Sequence, residues 1–209
     1  MKADPRNTAA WEKFQVFETL NDLQLENMKT EAASFLDDMR NDREPRWLSL
    51  LGTSGAGKTM LARIIWDWFR HNRHSEINWP ATERTRTPDR PHGQIIRDRG
   101  GFMNWGNAIN NRMLRGEYDF LEDMRGYSFF VIDDIASEYD RHRELSASKL
   151  YNVLESRLKK WTVITANLSL EQIGAKLDAR IASRMIRGHS TVVDVDVVDF
   201  NLRSIVSPS

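Results

Sequence analysis

Three short apolar runs along the chain have the composition of strands that are buried on both faces. They are Trp47–Leu51, Ser128–Asp133 and Trp161–Thr165. Runs of this length, rich in branched and aromatic side chains, favour strands over helices. A strand that is apolar at nearly every position needs cover on both faces, as in a parallel sheet. A Val-rich run over 191–199 predicts one further strand, and a short strand is expected near 102–105.

Between these runs the apolar positions recur at helical spacing. This spacing predicts helices over 22–40, after residue 58, around 107–115, over 145–160 and over 178–187. Ser169 and Gln172 have the spacing of a capping box and begin another helix. The residues expected to face the core are Leu61, Ile64, Ile65, Trp68 and Phe69 in the second helix, and Leu150, Val153, Leu154 and Leu158 in the fourth. Strands that alternate with helices predict an α/β fold with a parallel sheet.

The bulk composition limits the class of protein. The chain has 209 residues, with 30 basic and 30 acidic side chains, so its net charge favours no partner. It contains no cysteine, which excludes disulfides and thiolate metal sites and fits a reducing cytoplasm. No apolar run is long enough to cross a membrane, and no signal peptide is recognisable, so we expect a cytoplasmic protein with no membrane partner.

One segment between the first strand and the following helix matches the phosphate-binding pattern G-x-x-x-x-G-K-[ST]. Its residues are Gly52, Thr53, Ser54, Gly55, Ala56, Gly57, Lys58 and Thr59. Glycines let backbone N–H groups turn inward around phosphate oxygens, and the helix adds the positive end of its dipole. Lys58 can reach the β- and γ-phosphates of ATP, and the Thr59 hydroxyl can ligate Mg²⁺. The placement between strand and helix disfavours the alternative, an ordinary glycine-rich turn.

A second acidic motif follows the strand at 128–133. Asp133 would emerge at the carboxyl end of this strand beside Thr59 and hold Mg²⁺ directly or through water. Asp134 is the candidate for orienting or deprotonating the attacking water. Many enzymes with a phosphate loop carry the longer glutamate at this position. The alternative is a solvated Asp-Asp turn, and the phosphate loop about 75 residues upstream favours the metal site.

Two further candidates lie nearer the carboxyl terminus. Asn167 follows the strand at 161–165 and could hydrogen-bond the γ-phosphate or the attacking water; on its own it would be interpreted as a turn residue. Arg180 and Arg184 lie four apart on one helix face, and either could enter the nucleotide site of a neighbouring subunit, with Arg184 favoured. A solvent-exposed basic face is the plain alternative.

The Arg/Pro-rich segment 78–99 has no regular pattern. Its arginines could meet DNA phosphates, with Trp79 or Trp105 as a stacking face, but an ordinary solvated loop is the favoured interpretation.

The order of these motifs is specific. GTSGAGKT, FFVIDD, TVITANLS, LDARIASRM and a Val-rich strand ending in DFNLR follow one another along the chain. This order resembles the DnaC/IstB branch of the AAA+ ATPases, which contains helicase loaders and the ATPase helpers of transposases. The resemblance covers about residues 45–203.

The resemblance implies a P-loop NTPase fold, an AAA+ core with a five-stranded parallel sheet flanked by helices and no separate lid domain. It divides the chain into 1–44, a tether and helix with a possible partner-binding role, and an ATPase domain over 45–209. By the same similarity Lys58 and Thr59 match Walker A, Asp133 and Asp134 match Walker B, Asn167 the first sensor and Arg184 the arginine finger. It also implies ATP and Mg²⁺ as cofactors, self-assembly into a ring or spiral, and single-stranded DNA.

Four functions remain open from the sequence. The first is an ATPase that loads a replicative helicase, although a DnaC-like loader usually has a larger N-terminal domain. The second is an ATPase helper of a transposase, because these helpers have the same AAA+ core motifs as the helicase loaders. The third is a nucleotide-gated adaptor with little turnover. The fourth is a small-molecule kinase, but a kinase would not need the Asp-Asp, Ala-Asn and S-R-M motifs.

Overall fold

The computed structural model describes residues 12–14, 17–19, 21–41, 43–72, 100–137, 143–197 and 199. Five strands lie within these ranges: β1 (Trp47–Gly52), β2 (Gly100–Asn104), β3 (Phe129–Ile135), β4 (Trp161–Ala166) and β5 (Thr191–Val195). The helices are α1 (Leu23–Arg40), α2 (Lys58–Asn72), α3 (Trp105–Asn111), α4 (Asp119–Gly126), α5 (Arg143–Ser156), α6 (Leu170–Lys176) and α7 (Ala179–Met185). A short 3₁₀ turn, Met113–Arg115, follows α3.

The five strands form one parallel sheet in the order β2-β3-β4-β1-β5. Because all strands run the same way, their carboxyl ends meet at one edge, and the loop after β1 lies at that edge beside the ends of β4 and β5. The strand β3 is separated from β1 by β4. The predicted fold class, a parallel sheet of five strands flanked by helices, is confirmed.

The strands send alternate side chains to two separate cores. One face contributes Leu48, Leu50, Phe129, Val131, Val163 and Val195 to a core covered by α1 and α2. The other contributes Trp47, Leu51, Phe130, Ile132 and Ile164 to a core covered by α3 to α7. The period of two within apolar strands gives both faces a buried surface, as the sequence predicted.

The N-terminal region packs into the first of these cores. Helix α1 buries Leu25, Met28, Ala32, Phe35, Leu36 and Met39. Its N-cap is Asp22, whose carboxylate accepts from the backbone N–H of Gln24 at 2.9 Å. The aromatic residues Trp11, Phe14 and Phe17 near the start of the sequence predict anchors onto the domain. Phe14 and Phe17 are buried in this core, and Trp11 lies outside the described residues.

The interior at the start of β4 differs from the sequence prediction. Helix α5 ends at Ser156, so Leu158 falls in the following turn and is 43% exposed; its predicted inward position is wrong. Arg157 is buried in its place. Its guanidinium donates to the Thr162 hydroxyl at 2.8 Å and to the carbonyls of Met124, Tyr127 and Trp161 at 2.8, 2.9 and 2.7 Å.

Burial lowers the pKa of Arg157 to about 9, so the side chain stays charged near neutral pH. Surrounding a buried charge with acceptors offsets the cost of removing it from water.

Three smaller differences concern the ends and number of elements. The last strand ends at Val195 rather than near residue 199, α4 was not predicted, and the helix expected around 107–115 divides into α3 and the 3₁₀ turn. The capping box at Ser169 and Gln172 is present. Within the described ranges, no helix combines the length and apolar character needed to cross a membrane.

Candidate nucleotide site

The phosphate loop has the backbone conformation that its glycines allow. Gly52, Gly55 and Gly57 have φ values of 108°, 73° and 85°, a region that side-chain-bearing residues rarely adopt. At Gly52 there is also no space, since a Cβ would overlap the carbonyl oxygen of Val195. The loop is therefore fixed against β5 as well as against β1. Within it, Ala56 is buried and Ser54 is exposed.

Lys58 is buried at the first turn of α2. Its ammonium donates to the carbonyl of Gly52 at 3.0 Å and to the carbonyl of Thr53. Burial lowers its pKa, and the carboxylates of Asp134, Asp194 and Asp133 act in the opposite direction. An ammonium held by neutral carbonyls inside the loop can exchange them for charged phosphate oxygens, which bind it more strongly.

Thr59, Asp133 and Thr165 form one hydrogen-bonded group. The Thr59 and Thr165 hydroxyls both donate to Asp133 Oδ1, at 2.8 and 2.7 Å. The Thr165 hydroxyl also accepts from the backbone N–H of Asp134 at 2.8 Å. Side chains from α2, β3 and β4 thus converge on one carboxylate, which is only 3% exposed.

These oxygen donors fit a magnesium ion. Among the described residues, no group of three or more His, Cys, Asp or Glu side chains could hold a metal by itself. Mg²⁺ bound with a nucleotide needs no such group, because one or two protein oxygens are joined by phosphate oxygens and waters. The Thr59 hydroxyl and the Asp133 carboxylate are hard ligands of that kind.

Asp134 and Asn167 lie beside this group and contact each other. Asn167 Nδ2 donates to Asp134 Oδ1 at 2.9 Å. Asp134 lies within β3 and has a φ of 58°, an uncommon conformation, at the point where the pairing of β3 with β4 becomes irregular between Ile132 and Ile135. The residues predicted as catalytic base and first sensor are thereby brought together across β3 and β4.

Arg184 lies in a different cluster. Its Nη2 atom is ion-paired with Glu155 and donates to the Tyr151 hydroxyl at 3.1 Å, and both of these partners lie on α5. Its side chain is 15% exposed. Arg180 is 66% exposed and is paired with Asp178 at 2.7 Å. Neither arginine joins Asp133 or Asp134 within the part of this chain that the structure describes.

Two residues from opposite ends of the described part of the chain, Phe17 and Asp199, contact the phosphate loop, which the sequence did not predict. The Phe17 ring packs where a Cβ on Gly57 would stand, 2.7 Å away, and the Asp199 carboxylate occupies the corresponding position on Gly55. The Thr53 hydroxyl donates to the carbonyl of Val197 at 2.7 Å. No local signal in the sequence identifies these contacts, because they join segments that are far apart in the chain.

Thr165 was also missed, although a signal for it exists. It is a hydroxyl residue inside an otherwise apolar strand, and it lies shortly before the polar tip at Asn167. A buried hydroxyl needs a hydrogen-bond partner, and the nearest polar groups are those at the end of the next strand.

The suggested DNA-stacking role of Trp105 is wrong. The ring is fully buried at the start of α3, and its Nε1 donates to the Ser146 hydroxyl at 2.8 Å. Trp79 and the whole segment 78–99 lie outside the described residues.

Comparison with solved structures matches the fold over most of this chain. The DnaC helicase loader has a TM-score of 0.63 at 17% identity, over 90% of this chain and 99% of that one. DnaI has a TM-score of 0.60 at 17% identity, over 89% and 88%. The replication initiator DnaA bound to AMPPCP and single-stranded DNA has a TM-score of 0.57 at 14% identity. This match covers 87% of this chain and 52% of the DnaA chain. No protein-family model and no curated protein sequence matches the chain.

At this level of identity the matches establish the fold. The chain has the AAA+ fold of the DnaC, DnaI and DnaA structures, which confirms the resemblance to the DnaC/IstB branch at the level of architecture.

Proposed function

We propose that this protein is an ATP-binding and ATP-hydrolysing AAA+ protein that loads a replicative helicase onto DNA. The observation that carries the proposal is the hydrogen bond between Thr59 and Asp133, with Lys58 buried beside them. It joins the hydroxyl of the phosphate loop to the acid of β3 at a single point of the sheet edge. A triphosphate needs a cationic ligand such as Lys58, and its metal ion needs an anionic ligand such as Asp133.

Each side chain then has a distinct task in hydrolysis. The loop N–H groups and Lys58 would bind the phosphates, and Thr59 and Asp133 would hold Mg²⁺, which would neutralise charge on the phosphate oxygens. Asp134 accepts a proton from the attacking water or orients it, and Asn167 fixes the Asp134 carboxylate through their 2.9 Å hydrogen bond. Arg184 acts on the nucleotide of a neighbouring subunit.

The fold relatives support the DNA-related part of the proposal. Two of them are a helicase loader and DnaI, and DnaA is seen with an ATP analogue and single-stranded DNA. We propose that this protein likewise assembles into a ring or spiral with ATP and acts on single-stranded DNA, with residues 1–44 as a site for the partner.

The first test measures nucleotide binding by calorimetry for the wild type and Lys58→Ala. Loss of the ammonium removes a charged hydrogen bond to the phosphates, which is worth roughly 1.5–3 kcal/mol, so ATP affinity falls at least about tenfold. Met60→Ala is a matched control, because Met60 is an exposed neighbour on the same helical turn and its replacement should keep wild-type affinity.

The wild type and Lys58→Ala then serve in a pull-down with ATP. A replicative helicase that co-purifies with the wild type and not with Lys58→Ala supports the loader. If ATP binding is undetectable in the wild type, the nucleotide site itself is refuted. A transposase in place of the helicase supports the transposition helper, which shares the same core.

A nucleotide-gated adaptor is a second candidate, favoured by the short Asp134 side chain and by its hydrogen bond to Asn167. The adaptor binds ATP tightly without releasing phosphate, whereas the ATPase turns over with DNA or the partner present. In the ATPase, Asp134→Asn lowers turnover about a hundredfold and leaves ATP affinity within about twofold.

A further inference from the structure

Helices α5 and α7 share a compact charged cluster of Tyr151, Glu155 and Arg184. The Tyr151 hydroxyl donates to Glu155 Oε1 at 2.8 Å and accepts from Arg184 Nη2 at 3.1 Å. The same Nη2 atom is ion-paired with Glu155. The three side chains therefore close a triangle around one nitrogen of the guanidinium.

The opposite edge of the guanidinium has donors to spare. Within the described part of the chain, every hydrogen bond and ion pair of the Arg184 side chain uses Nη2, and this side chain stays 15% exposed. A guanidinium is planar and carries five N–H donors, so fixing one edge also fixes the direction of the other. An incoming phosphate can bind the remaining donors without displacing Glu155.

Arg180 provides a contrast on the same helix. Its guanidinium lies 4.8 Å from the Tyr151 ring centre, against 5.6 Å for Arg184, but its hydrogen bonds go to Asp178 at the N-cap of its own helix. That pair is exposed and local, so it does not tie α7 to α5. Of these two arginines, Arg184 is the one held by an acid from another helix.

We propose that Glu155, assisted by Tyr151, is a positioning residue that orients Arg184 toward the nucleotide phosphates of a neighbouring subunit. This inference rests on the proposed function, in which Arg184 acts in trans. A free arginine loses rotamer entropy at each encounter, whereas one already held within its own subunit loses less. The ion pair therefore makes the arginine more effective after assembly without contacting the nucleotide itself.

The test is a mixing experiment with two inactive subunits. The acceptor carries Arg184→Ala and has an intact ATP site, and the donor carries Asp134→Asn and has an intact Arg184. Mixing them restores hydrolysis at sites where the donor's arginine meets the acceptor's nucleotide. Glu155→Gln is then added to the donor, which removes the charge and keeps an oxygen acceptor at the same place.

At saturating donor concentration, we expect Glu155→Gln on the donor to lower the rescued rate of hydrolysis about three- to tenfold. Tyr151→Phe on the donor should lower the same rate roughly twofold. The donor concentration for half-maximal rescue stays within about twofold, which separates positioning from assembly. Glu122→Gln on the donor is the matched control, because it removes an acid from an exposed pair with Arg125 and leaves the rescued rate unchanged.

If Glu155 had only a structural role, Glu155→Gln would lower the rescued rate whichever subunit carried it. Placing Glu155→Gln on the acceptor, where Arg184 is absent, therefore leaves the rescued rate unchanged if Glu155 works through Arg184. Equal losses on donor and acceptor, no loss on the donor, or a higher rescued rate would each overturn the proposal, the last by showing that Glu155 sequesters the arginine.

Failure of the proposed function gives a different result. If both subunits bind ATP, the wild type hydrolyses it, and the donor with intact Glu155 still fails to rescue, Arg184 does not act in trans and its positioning by Glu155 falls with it. Absence of ATP binding in the wild type refutes the nucleotide site instead.

Discussion

Two buried polar networks lie at opposite ends of the same strands, β3 and β4, and they differ in the groups that surround the buried charge. At the amino ends, the Arg157 guanidinium donates to Thr162 and to a set of backbone carbonyls. At the carboxyl ends, Asp133 accepts from two threonine hydroxyls, one of them Thr165. The first network surrounds a cation with acceptors, and the second surrounds an anion with donors.

The partners of the two charges explain their different uses. The acceptors around Arg157 are mostly main-chain carbonyls fixed by the fold, so no ligand can replace them without breaking the sheet. The donors around Asp133 are side-chain hydroxyls, and one of them, Thr59, lies on the first turn of α2. A carboxylate with spare lone pairs at the open edge can also bind a cation. The amino-end network therefore holds the fold, and the carboxyl-end network can serve a ligand.

Replacing Arg157 should give the largest effect on stability. Arg157→Met removes the donors of several buried carbonyls, so we expect the free energy of unfolding to fall by about 3 kcal/mol, measured by urea denaturation. The folded variant should keep wild-type ATP affinity. Arg115→Met, at an exposed position of the 3₁₀ turn, is the control and should change stability little. A stable Arg157→Met protein with weakened ATP binding would reverse the roles assigned to the two networks.

A matched pair of substitutions in β4 sharpens the comparison. Thr165→Val removes the hydroxyl that links Asp133 to Asp134, and we expect magnesium-dependent ATP affinity to fall about fivefold while magnesium-free affinity is unchanged. Thr162→Val removes a hydroxyl that is equally buried and bonds Arg157. It should lower the urea midpoint without changing the magnesium dependence. Identical magnesium titrations for the two variants would contradict the division.

The smallest expected effect concerns Asp199 beside Gly55. Its carboxylate adds negative charge close to the phosphate-binding loop, so Asp199→Asn should raise ATP affinity about threefold at low salt, with a smaller gain at high salt. Calorimetry at two salt concentrations measures this. Asp196→Asn is the control, because Asp196 is an exposed acid of the same segment. Weaker ATP binding by Asp199→Asn would mean that the carboxylate contacts the nucleotide favourably.

Much of the fold could be predicted from the sequence, since strands and helices are indicated by the spacing of apolar residues, which is a local pattern that recurs along the chain. Apolar runs such as 128–133 favoured strands with both faces covered, and α1 begins and ends close to the predicted residues. The phosphate loop was recognisable because glycines at fixed spacing specify its backbone. By contrast, Arg157 was missed and Leu158 misplaced, because the end of a helix decides which of two neighbours turns inward, and helix ends are weakly specified by spacing.

The sequence by itself determined the five strands and most of the helices between them, the phosphate loop, and the acids and amide at the strand ends. Those features depend on neighbouring residues, whose spacing fixes backbone conformation and the direction of each side chain. Only the tertiary structure decided that Thr165 joins Asp133, that Glu155 holds Arg184, and that Phe17 and Asp199 flank the loop. Such contacts join segments far apart in the chain, and their partners are set by how the sheet and helices pack. A local pattern can mark a residue such as Thr165 as polar and buried, but it does not identify the partner.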